Sequence, residues 1–345
     1  MTPRITVLMP VYNCQAYIEE SVNSILNQTF SDFELIIIDD ASTDNTVEIL
    51  KTYIDPRIHL IIKPINKGYT DSLNSGLKLA KGEYIARMDG DDISLPDRFA
   101  KQIAFLDSNP DVILCGTRTR IIGTDRIFYV PDEHEKIKIN LIMGFGISHP
   151  TVMMRNSAME KYQLEYNPEM EPAEDYDLWT RMVFCGKLAN LNEVLLLYRV
   201  HHNQTSSVRK QLQMENTRKI KLRMLQYLIP TIPVEYELFE LKNNVEKNQL
   251  SSRKLRKRLK EKLVYMNNLA IENNIKKIYD PKLFVTFIKA RKADLPSLFL
   301  RESATTPLKK IIDVLIFMPY FCWDMGLKGS IKYIVKNVLK MIHLK

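Results

Sequence analysis

The alternation of short apolar, β-rich runs with helical patterns most constrains what this chain can fold into. Apolar runs of this kind recur up to residue 115: Ile5–Met9, Phe33–Ile38, Ile58–Ile62, Tyr84–Met88 and Val112–Cys115. Helical patterns fill the intervals between them, at about 15–28, 44–54, 69–81 and 97–107. This order of elements predicts an α/β fold in which helices cover both faces of a mostly parallel sheet.

Polar residues follow three of the predicted strands at the point where each strand ends. Pro10 to Asn13 end the first strand, Asp39-Asp40 the second, and Asp89-Gly90-Asp91-Asp92 the fourth. The carboxyl ends of parallel strands meet at one edge of a sheet, and ligands of open α/β sheets bind there. We therefore predict a binding site at this edge.

The acidic run after the fourth strand points to a bound cation. Asp89, Asp91 and Asp92 place three carboxylates within four residues. Such close carboxylates repel one another unless a cation lies among them. Their hard oxygen atoms suit Mg²⁺ or Mn²⁺, ions that bridge to substrate phosphates. The alternative is a solvated acidic turn that holds no metal.

The ends of the first two strands carry groups that suit a nucleobase. One carboxylate of Asp39-Asp40 could accept a hydrogen bond from a base N–H, and the ring of Tyr12 could stack on the base. The alternatives are helix capping by the aspartates and simple packing of the tyrosine.

Two later segments carry side chains that suit proton transfer or metal binding. Glu174-Asp175 opens a predicted helix, whose N-terminus favours ionised carboxylates, and an ionised Asp beside a hydroxyl can act as a general base. His201 follows the strand-like run Val194–Val200 and offers a neutral imidazole as a ligand for the same cation. The alternatives are ordinary first-turn acids and a surface-loop histidine.

The charge of the chain changes sign along its length. Residues 1–207 contain 20 basic and 29 acidic side chains, a net charge of −9. Residues 208–345 contain 29 basic and 12 acidic side chains, a net charge of +17, and have helical patterns. We predict a ligand-binding domain over 1–207, a basic helical region over 208–305, and amphipathic, membrane-contacting helices over 306–345.

The basic region allows three interpretations. The apolar, aromatic run Val314–Trp323 and the lysines at 328, 332, 336 and 340, which share one helical face, suit an anionic membrane surface. A solvated helical bundle is the second interpretation. Nucleic-acid binding is disfavoured, because aromatic residues do not interleave with the basic ones as stacking platforms. We expect a peripheral contact with an anionic membrane and no nucleic-acid partner.

Cysteine spacing and hydropathy limit the cellular locations that suit this chain. The four cysteines are widely spaced and form no CxxC pair, which excludes a disulfide scaffold and a Cys-based zinc site and suits a reducing compartment. The first residues contain too short an apolar run for a signal peptide. No uncharged apolar stretch of about 18 residues is present. We therefore expect a cytoplasmic protein, peripheral at the inner face of the cell membrane.

The order of the motifs, taken together, resembles one enzyme family. From the first strand onward the chain contains, in this order, PVYN, IIIDDASTD, NKG, GEYIARMDGDD, EDYDLW and YRVH. This sequence resembles the family-two inverting glycosyltransferases of bacterial surface-polysaccharide synthesis, over about residues 3–207. The resemblance implies the glycosyltransferase A-type fold, a Rossmann-like and mostly parallel sheet, here followed by a basic helical extension.

The resemblance implies a role for each matching residue. Pro10, Tyr12 and Asp40 would hold the nucleobase, most often uracil, and Asn66 and Gly68 would lie on the loop beside the nucleotide. Asp89 would bind ribose, diphosphate and metal, and Asp91 and His201 would bind the metal. Asp175 would be the catalytic base, and Glu174 would support it.

The implied activity is that of a metal-dependent inverting hexosyltransferase. It would use Mg²⁺ or Mn²⁺ and a nucleotide sugar, chiefly a UDP-sugar, and would act on a glycan or lipid-linked acceptor. The Gln-x-x-Arg-Trp motif of processive members is absent, which favours the addition of a single sugar. The alternatives are a non-catalytic nucleotide-sugar-binding or scaffold protein of the same fold and a nucleotidylyltransferase. The nucleotidylyltransferase is disfavoured because PVYNCQAY replaces the expected Gly-rich loop.

Overall fold

The computed structural model describes residues 2–201, 204, 208–230 and 252–302 of the 345-residue chain. These residues fall into two compact units, one ending at Lys221 and the other beginning at Leu222. The predicted membrane-contacting helices over 306–345 lie outside the described residues. The boundary expected after residue 207 stays a prediction.

A nine-stranded sheet forms the centre of the described part of the first unit. Its strands are β1 (Ile5–Val11), β2 (Phe33–Asp39), β3 (Ile58–Ile62), β4 (Tyr84–Arg87), β5 (Ile93–Ser94), β6 (Val112–Ile121), β7 (Ile127–Phe128), β8 (Met153–Arg155) and β9 (Lys187–Tyr198). The spatial order is β3-β2-β1-β4-β8-β6-β9-β5, and β7 pairs with β6.

Most of the long strand pairs are parallel. β3, β2, β1 and β4 run parallel to one another, and so do β6 and β9. β8 lies between β4 and β6 and is antiparallel to both, while β5 and β7 add antiparallel pairs at the margins. The predicted α/β fold with a mostly parallel sheet is confirmed.

Helices cover the sheet because its central strands are apolar on both faces. Every residue of β1 and β2 is buried, which is typical of parallel strands between two helical layers. The helices of this unit are α1 (Ile18–Leu26), α2 (Thr46–Lys51), α3 (Tyr69–Leu79), α4 (Arg98–Ser108), α5 (His134–Asn140), α6 (Asn156–Lys161) and α7 (Glu174–Met182). The first four match the predicted helices; the first three are shorter than expected, and the fourth is shifted by one residue.

The strand register brings the polar strand ends to one edge. Val11 at the end of β1 lies opposite Asp39 at the end of β2, and Leu8 of β1 lies opposite Arg87 at the end of β4. The residues that follow these strands therefore leave the sheet on the same side, as the sequence predicted.

The described part of the second unit is helical. α8 (Lys210–Gln226) runs across the division between the units, and α9 (Ser252–Lys276) and α10 (Pro281–Glu302) follow. Tyr279, between α9 and α10, stacks on Phe284 at 5.1 Å between ring centroids and donates a hydrogen bond to the carbonyl of Met224 at 3.0 Å. The predicted basic helical extension is thus present. None of the described helices combines the length and apolar character needed to cross a membrane.

Candidate active site

The acidic cluster lies directly after β4, and its three side chains differ in exposure. One carboxylate oxygen from each of Asp89, Asp91 and Asp92 falls within 4.8 Å of the others. The side chains of Asp89 and Asp91 are 24% and 22% exposed, whereas Asp92 is fully buried. Two of the three carboxylates are therefore accessible to a ligand, and the third faces the protein interior.

Asp92 holds the end of β9 against the cluster. Its Oδ1 accepts a hydrogen bond from the backbone N–H of Arg199 at 2.9 Å, and Arg199 Nε donates to the carbonyl of Asp91 at 2.7 Å. Burial, reinforced by the charges of Asp89 and Asp91, raises the pKa of Asp92 well above its usual range. This contact brings the chain after β9 to the cluster.

The result is a direct contact between His201 and Asp91. Nε2 of His201 lies 2.8 Å from Oδ2 of Asp91, and the imidazole ring lies 5.1 Å from the ring of Tyr17. Burial and the charge of Asp89 raise the pKa of Asp91, and the contact with His201 opposes that rise. The sequence placed both residues among the metal ligands, and the structure brings them together.

Arg87 and Tyr69 hold Asp89 in place, and the sequence analysis missed both. The buried guanidinium of Arg87 forms an ion pair with Asp89, and the hydroxyl of Tyr69 donates to Asp89 Oδ1 at 3.1 Å. Nε and Nη1 of Arg87 have no hydrogen-bond partner among the described residues. A charged residue inside the otherwise apolar strand Tyr84–Arg87 was the signal that could have revealed this position.

The predicted nucleotide-side residues form a second group around a buried carboxylate. Asp40 accepts hydrogen bonds from the backbone N–H groups of Lys67 at 3.0 Å and Gly68 at 2.8 Å, and it pairs with Lys63 Nζ at 3.1 Å. The side chain of Asn66 accepts a further bond from the Gly68 N–H at 3.1 Å. Asp40 therefore fixes the loop that the resemblance places beside the nucleotide.

Two other nucleotide-side residues lie at the end of β1. Pro10 is buried in the strand opposite Ile38 of β2, and the exposed ring of Tyr12 follows the strand. An aromatic face that is 47% exposed is available for stacking. Their contact with a base stays a prediction.

Glu171 contacts the chain next to the loop of Asn66 and Gly68, and the sequence analysis missed it too. Its Oε2 accepts the backbone N–H of Thr70 at 3.0 Å, and its Oε1 pairs with Arg209. Gly68 has φ +94°, and a Cβ at that position would lie 3.2 Å from Glu171 Oε2. The glycine thus permits both a left-handed backbone and a close approach by the carboxylate.

Glu174 and Asp175 occupy the first turn of α7, as predicted, and differ in exposure. Glu174 is buried, and burial together with the neighbouring Asp175 raises its pKa to about 8. Asp175 is 30% exposed at its side chain, and its Oδ1 accepts the backbone N–H of Tyr176 at 2.6 Å. Burial raises the pKa of Asp175, while the Tyr176 N–H and Arg87 oppose the rise. Of these two carboxyl groups, Asp175 is therefore the one that a ligand can reach.

The donor atoms at the acidic cluster fit a hard divalent cation. The accessible carboxylates of Asp89 and Asp91 supply oxygen atoms of the type that Mg²⁺ or Mn²⁺ prefer. The imidazole of His201 adds a nitrogen atom, which suits Mn²⁺ better than Mg²⁺. The inward-facing Asp92 is committed to the backbone of Arg199. The ligand set expected from the sequence is therefore compatible with this geometry.

Comparison with known proteins decides the family. The model of Glycosyl transferase family 2 matches residues 6–163. An uncharacterized glycosyltransferase of Haemophilus influenzae is 35% identical over 250 residues, which cover 68% of this chain and 77% of that protein. The chain belongs to glycosyl transferase family 2. The O-antigen biosynthesis glycosyltransferase WbnJ of Escherichia coli is 38% identical to this family 2 member over 212 residues, 58% of this chain and 81% of WbnJ.

A solved structure shares the fold of this family 2 glycosyltransferase. Residues 1–349 of TarS from S. aureus, crystallised with UDP-GlcNAc, match with a TM-score of 0.57 at 19% identity. The match covers 85% of this chain and 89% of that chain. The predicted glycosyltransferase A-type fold is confirmed by this likeness.

Proposed function

We propose that this family 2 glycosyltransferase moves a hexose or N-acetylhexosamine from a nucleotide sugar to a hydroxyl group of a glycan or lipid-linked acceptor. The observation that carries the proposal is the shared environment of two carboxylate groups at one edge of the sheet. Asp89 pairs with Arg87, and the charges of both residues act on Asp175. In this proposal the diphosphate departs at the acidic cluster, and the acceptor hydroxyl attacks beside Asp175.

The relatives support the choice of donor and pathway. TarS was crystallised with UDP-GlcNAc, and WbnJ acts in O-antigen biosynthesis. By analogy, we propose a UDP-sugar as donor and a role in surface polysaccharide synthesis.

The nucleotide binds between the ends of β1 and β2 in this proposal. Tyr12 stacks on the base, Pro10 shapes the end of β1, and Asp40 fixes the loop that contains Asn66 and Gly68. The ribose and diphosphate then reach Asp89.

The chemical step is a single displacement. Asp175 accepts the proton of the acceptor hydroxyl while its oxygen forms a bond to the anomeric carbon. The bond from that carbon to the diphosphate oxygen breaks, and its electron pair leaves with the nucleoside diphosphate. Because the attack comes from the face opposite the leaving group, the configuration inverts. Burial raises the pKa of Glu174 to about 8, which favours its uncharged form at pH 7 and a negative charge on Asp175.

In this proposal a divalent cation would be held by Asp91, His201 and Asp89. A divalent cation bound there would offset the negative charge that develops on the departing diphosphate. Asp92 acts through the backbone of Arg199, which keeps His201 at the site.

The basic C-terminal region contacts an anionic membrane in this proposal. Its net charge of +17 over residues 208–345 supports an attraction to acidic lipid headgroups. Vesicle flotation tests it: the chain should float with phosphatidylglycerol vesicles and lose binding at high salt. Replacing the four lysines at 328, 332, 336 and 340 with glutamate should remove flotation. Equal flotation of this variant would reject a contact through these lysines.

A donor screen tests the enzymatic proposal directly. Thermal unfolding is measured with Mn²⁺ and UDP-, GDP-, dTDP- and CMP-sugars, because a ligand at about 100 times its Kd adds roughly 2.7 kcal/mol of apparent stability. We expect a metal-dependent stabilisation by a UDP-sugar and its slow hydrolysis to UDP and a sugar of inverted configuration, read by NMR. Binding without any turnover, with water or with glycan acceptors, would favour the non-catalytic alternative.

A further inference from the structure

His149 occupies a buried position beside the proposed base and has no role in the mechanism above. It begins the 3₁₀ turn His149–Thr151 and packs its ring against three aromatic side chains. The ring centroids lie 5.4 Å from Tyr166, 5.7 Å from Trp179 of α7 and 6.3 Å from Tyr69 of α3. These contacts hold the imidazole in one orientation.

The hydrogen-bond partner of His149 determines where its proton resides. The hydroxyl of Tyr166 lies 2.9 Å from Nε2 of His149. Burial raises the pKa of Tyr166, so this hydroxyl keeps its proton and can donate it to Nε2. Burial and the charge of Arg87 keep the pKa of His149 well below its usual range, so the ring is neutral at pH 7. A neutral ring that accepts at Nε2 carries its one proton on Nδ1.

That proton faces the proposed base. Nδ1 of His149 lies 3.9 Å from Oδ2 of Asp175. The separation is longer than a hydrogen bond, as catalytic hydrogen bonds often are before substrate binds. The other tautomer would direct a nitrogen lone pair at an ionised carboxylate, which is unfavourable. The arrangement therefore selects the tautomer that can hold Asp175.

Tyr166 is itself anchored to the helix that follows the nucleotide loop. The side-chain amide of Asn74 in α3 donates to the carbonyl of Tyr166 at 2.8 Å and accepts its N–H at 2.9 Å. A continuous series of contacts thus runs from Asn74 through Tyr166 and His149 to Asp175.

We propose that His149 is the positioning residue of the catalytic base: its Nδ1–H holds Oδ2 of Asp175, and Tyr166 fixes the tautomer that makes this possible. The proposal rests on the role of Asp175 in the proposed function. With Oδ1 held by the Tyr176 N–H and Oδ2 held by His149, the carboxylate has one orientation toward the acceptor hydroxyl.

Other charged groups also act on Asp175 and stay the same in the test below. Arg87 of β4 favours its ionised form, and Asp89 after β4 disfavours it. Glu174 is its neighbour in α7, and Tyr166 is close enough to sense its charge. A change confined to His149 therefore isolates the contribution of the imidazole.

Two amide substitutions separate the two ring nitrogens. The Asn amide in His149→Asn can present an N–H near the Nδ1 position, whereas the longer Gln in His149→Gln reaches the Nε2 position and leaves Asp175 without a donor. We expect kcat to fall about 10- to 100-fold in His149→Gln and several-fold less in His149→Asn, with unchanged Kd for the donor, because misplacement of a reacting group costs rate. The acidic limb of the kcat profile should move to higher pH in His149→Gln, since the carboxylate loses a donor to its charged form. Equal losses in both variants, or a loss in donor affinity alone, would overturn the proposal.

A measurement that does not depend on activity tests the tautomer. In ¹⁵N-histidine-labelled protein, NMR should show His149 protonated at Nδ1, and Tyr166→Phe should shift the ring toward the Nε2–H form. A wild-type ring protonated at Nε2 would overturn the proposal even if both amide variants failed to fold.

Exposed His59 in β3 provides the control for the kinetic test, with His59→Gln expected to keep full kcat. If both Asp175→Asn and His149→Gln keep full kcat, the proposed base is wrong. If His149→Gln keeps full kcat and Asp175→Asn does not, only the positioning role of His149 fails.

Discussion

Nε2 of His201 lies 2.8 Å from Oδ2 of Asp91, although 110 positions separate the two residues in the chain. The contact exists because Asp92, next to Asp91, binds the backbone of Arg199, two residues before His201. One aspartate of the acidic cluster therefore positions the chain, and its neighbour contacts the histidine that this chain delivers.

We expect His201 and Asp91 to act as one unit in binding the metal and diphosphate. His201→Ala should weaken the binding of UDP with Mn²⁺ about 10-fold or more, and Asp91→Asn should do the same. The double variant should lose less binding free energy than the sum of the two single losses, because both changes disrupt the same site. Calorimetric titration measures all three, with His59→Ala as the control. Fully additive losses would show that the two side chains bind independently.

Asp175→Asn should abolish most turnover without unfolding the protein. An amide cannot accept the proton, and a general base typically contributes about 10²- to 10⁴-fold in rate. We expect kcat to fall by that factor, while the Kd of the donor and the thermal unfolding temperature stay within error. Asp111→Asn, at an exposed carboxylate paired with Lys187, is the matched control. Near-normal turnover in Asp175→Asn would require another base.

Glu174 should make stability depend on pH between its unfolded and folded pKa values. Burial raises its pKa from 4.5 to about 8, so the folded state binds this proton more tightly than the unfolded state does. Its contribution to stability is complete below about pH 4.5 and is lost as the pH rises through about 8. Relative to Glu174→Gln, the wild-type free energy of unfolding should therefore decline over this range. Urea titrations at several pH values measure the difference. Parallel curves would mean that Glu174 titrates as it does in the unfolded chain.

Two aspartates that share Lys63 should differ strongly in importance. Asp40 is buried and also accepts two backbone N–H groups, whereas Asp71, 2.6 Å from the same Lys63 Nζ, is 44% exposed. Asp40→Asn should cost about 2–4 kcal/mol in unfolding free energy and weaken nucleotide binding, because one amide oxygen cannot replace the whole carboxylate. Asp71→Asn should cost less than about 1 kcal/mol, as exposed ion pairs do. Similar costs in urea unfolding would contradict this ranking.

Much of the fold was predictable because burial leaves a local pattern in the chain. The runs Ile5–Met9 and Phe33–Ile38 are apolar throughout, which a strand between two helical layers requires, and both became fully buried parallel strands. The acidic residues after β4 and at the start of α7 could also be located, since each follows or opens a regular element. The antiparallel strand Met153–Arg155 could not, because three residues are too few to show a period.

The sequence alone determined the α/β class, the family and the edge of the sheet where the polar residues collect. Only the tertiary structure decided that Asp92 faces inward while Asp91 meets His201, that Arg87 lies buried behind Asp89, and that His149 lies between Tyr166 and Asp175. The physical reason is the separation of the contacting residues along the chain. Periodicity reports only how each residue is buried within its own helix or strand. Contacts between residues far apart in the chain depend on strand order and register, which no local pattern encodes.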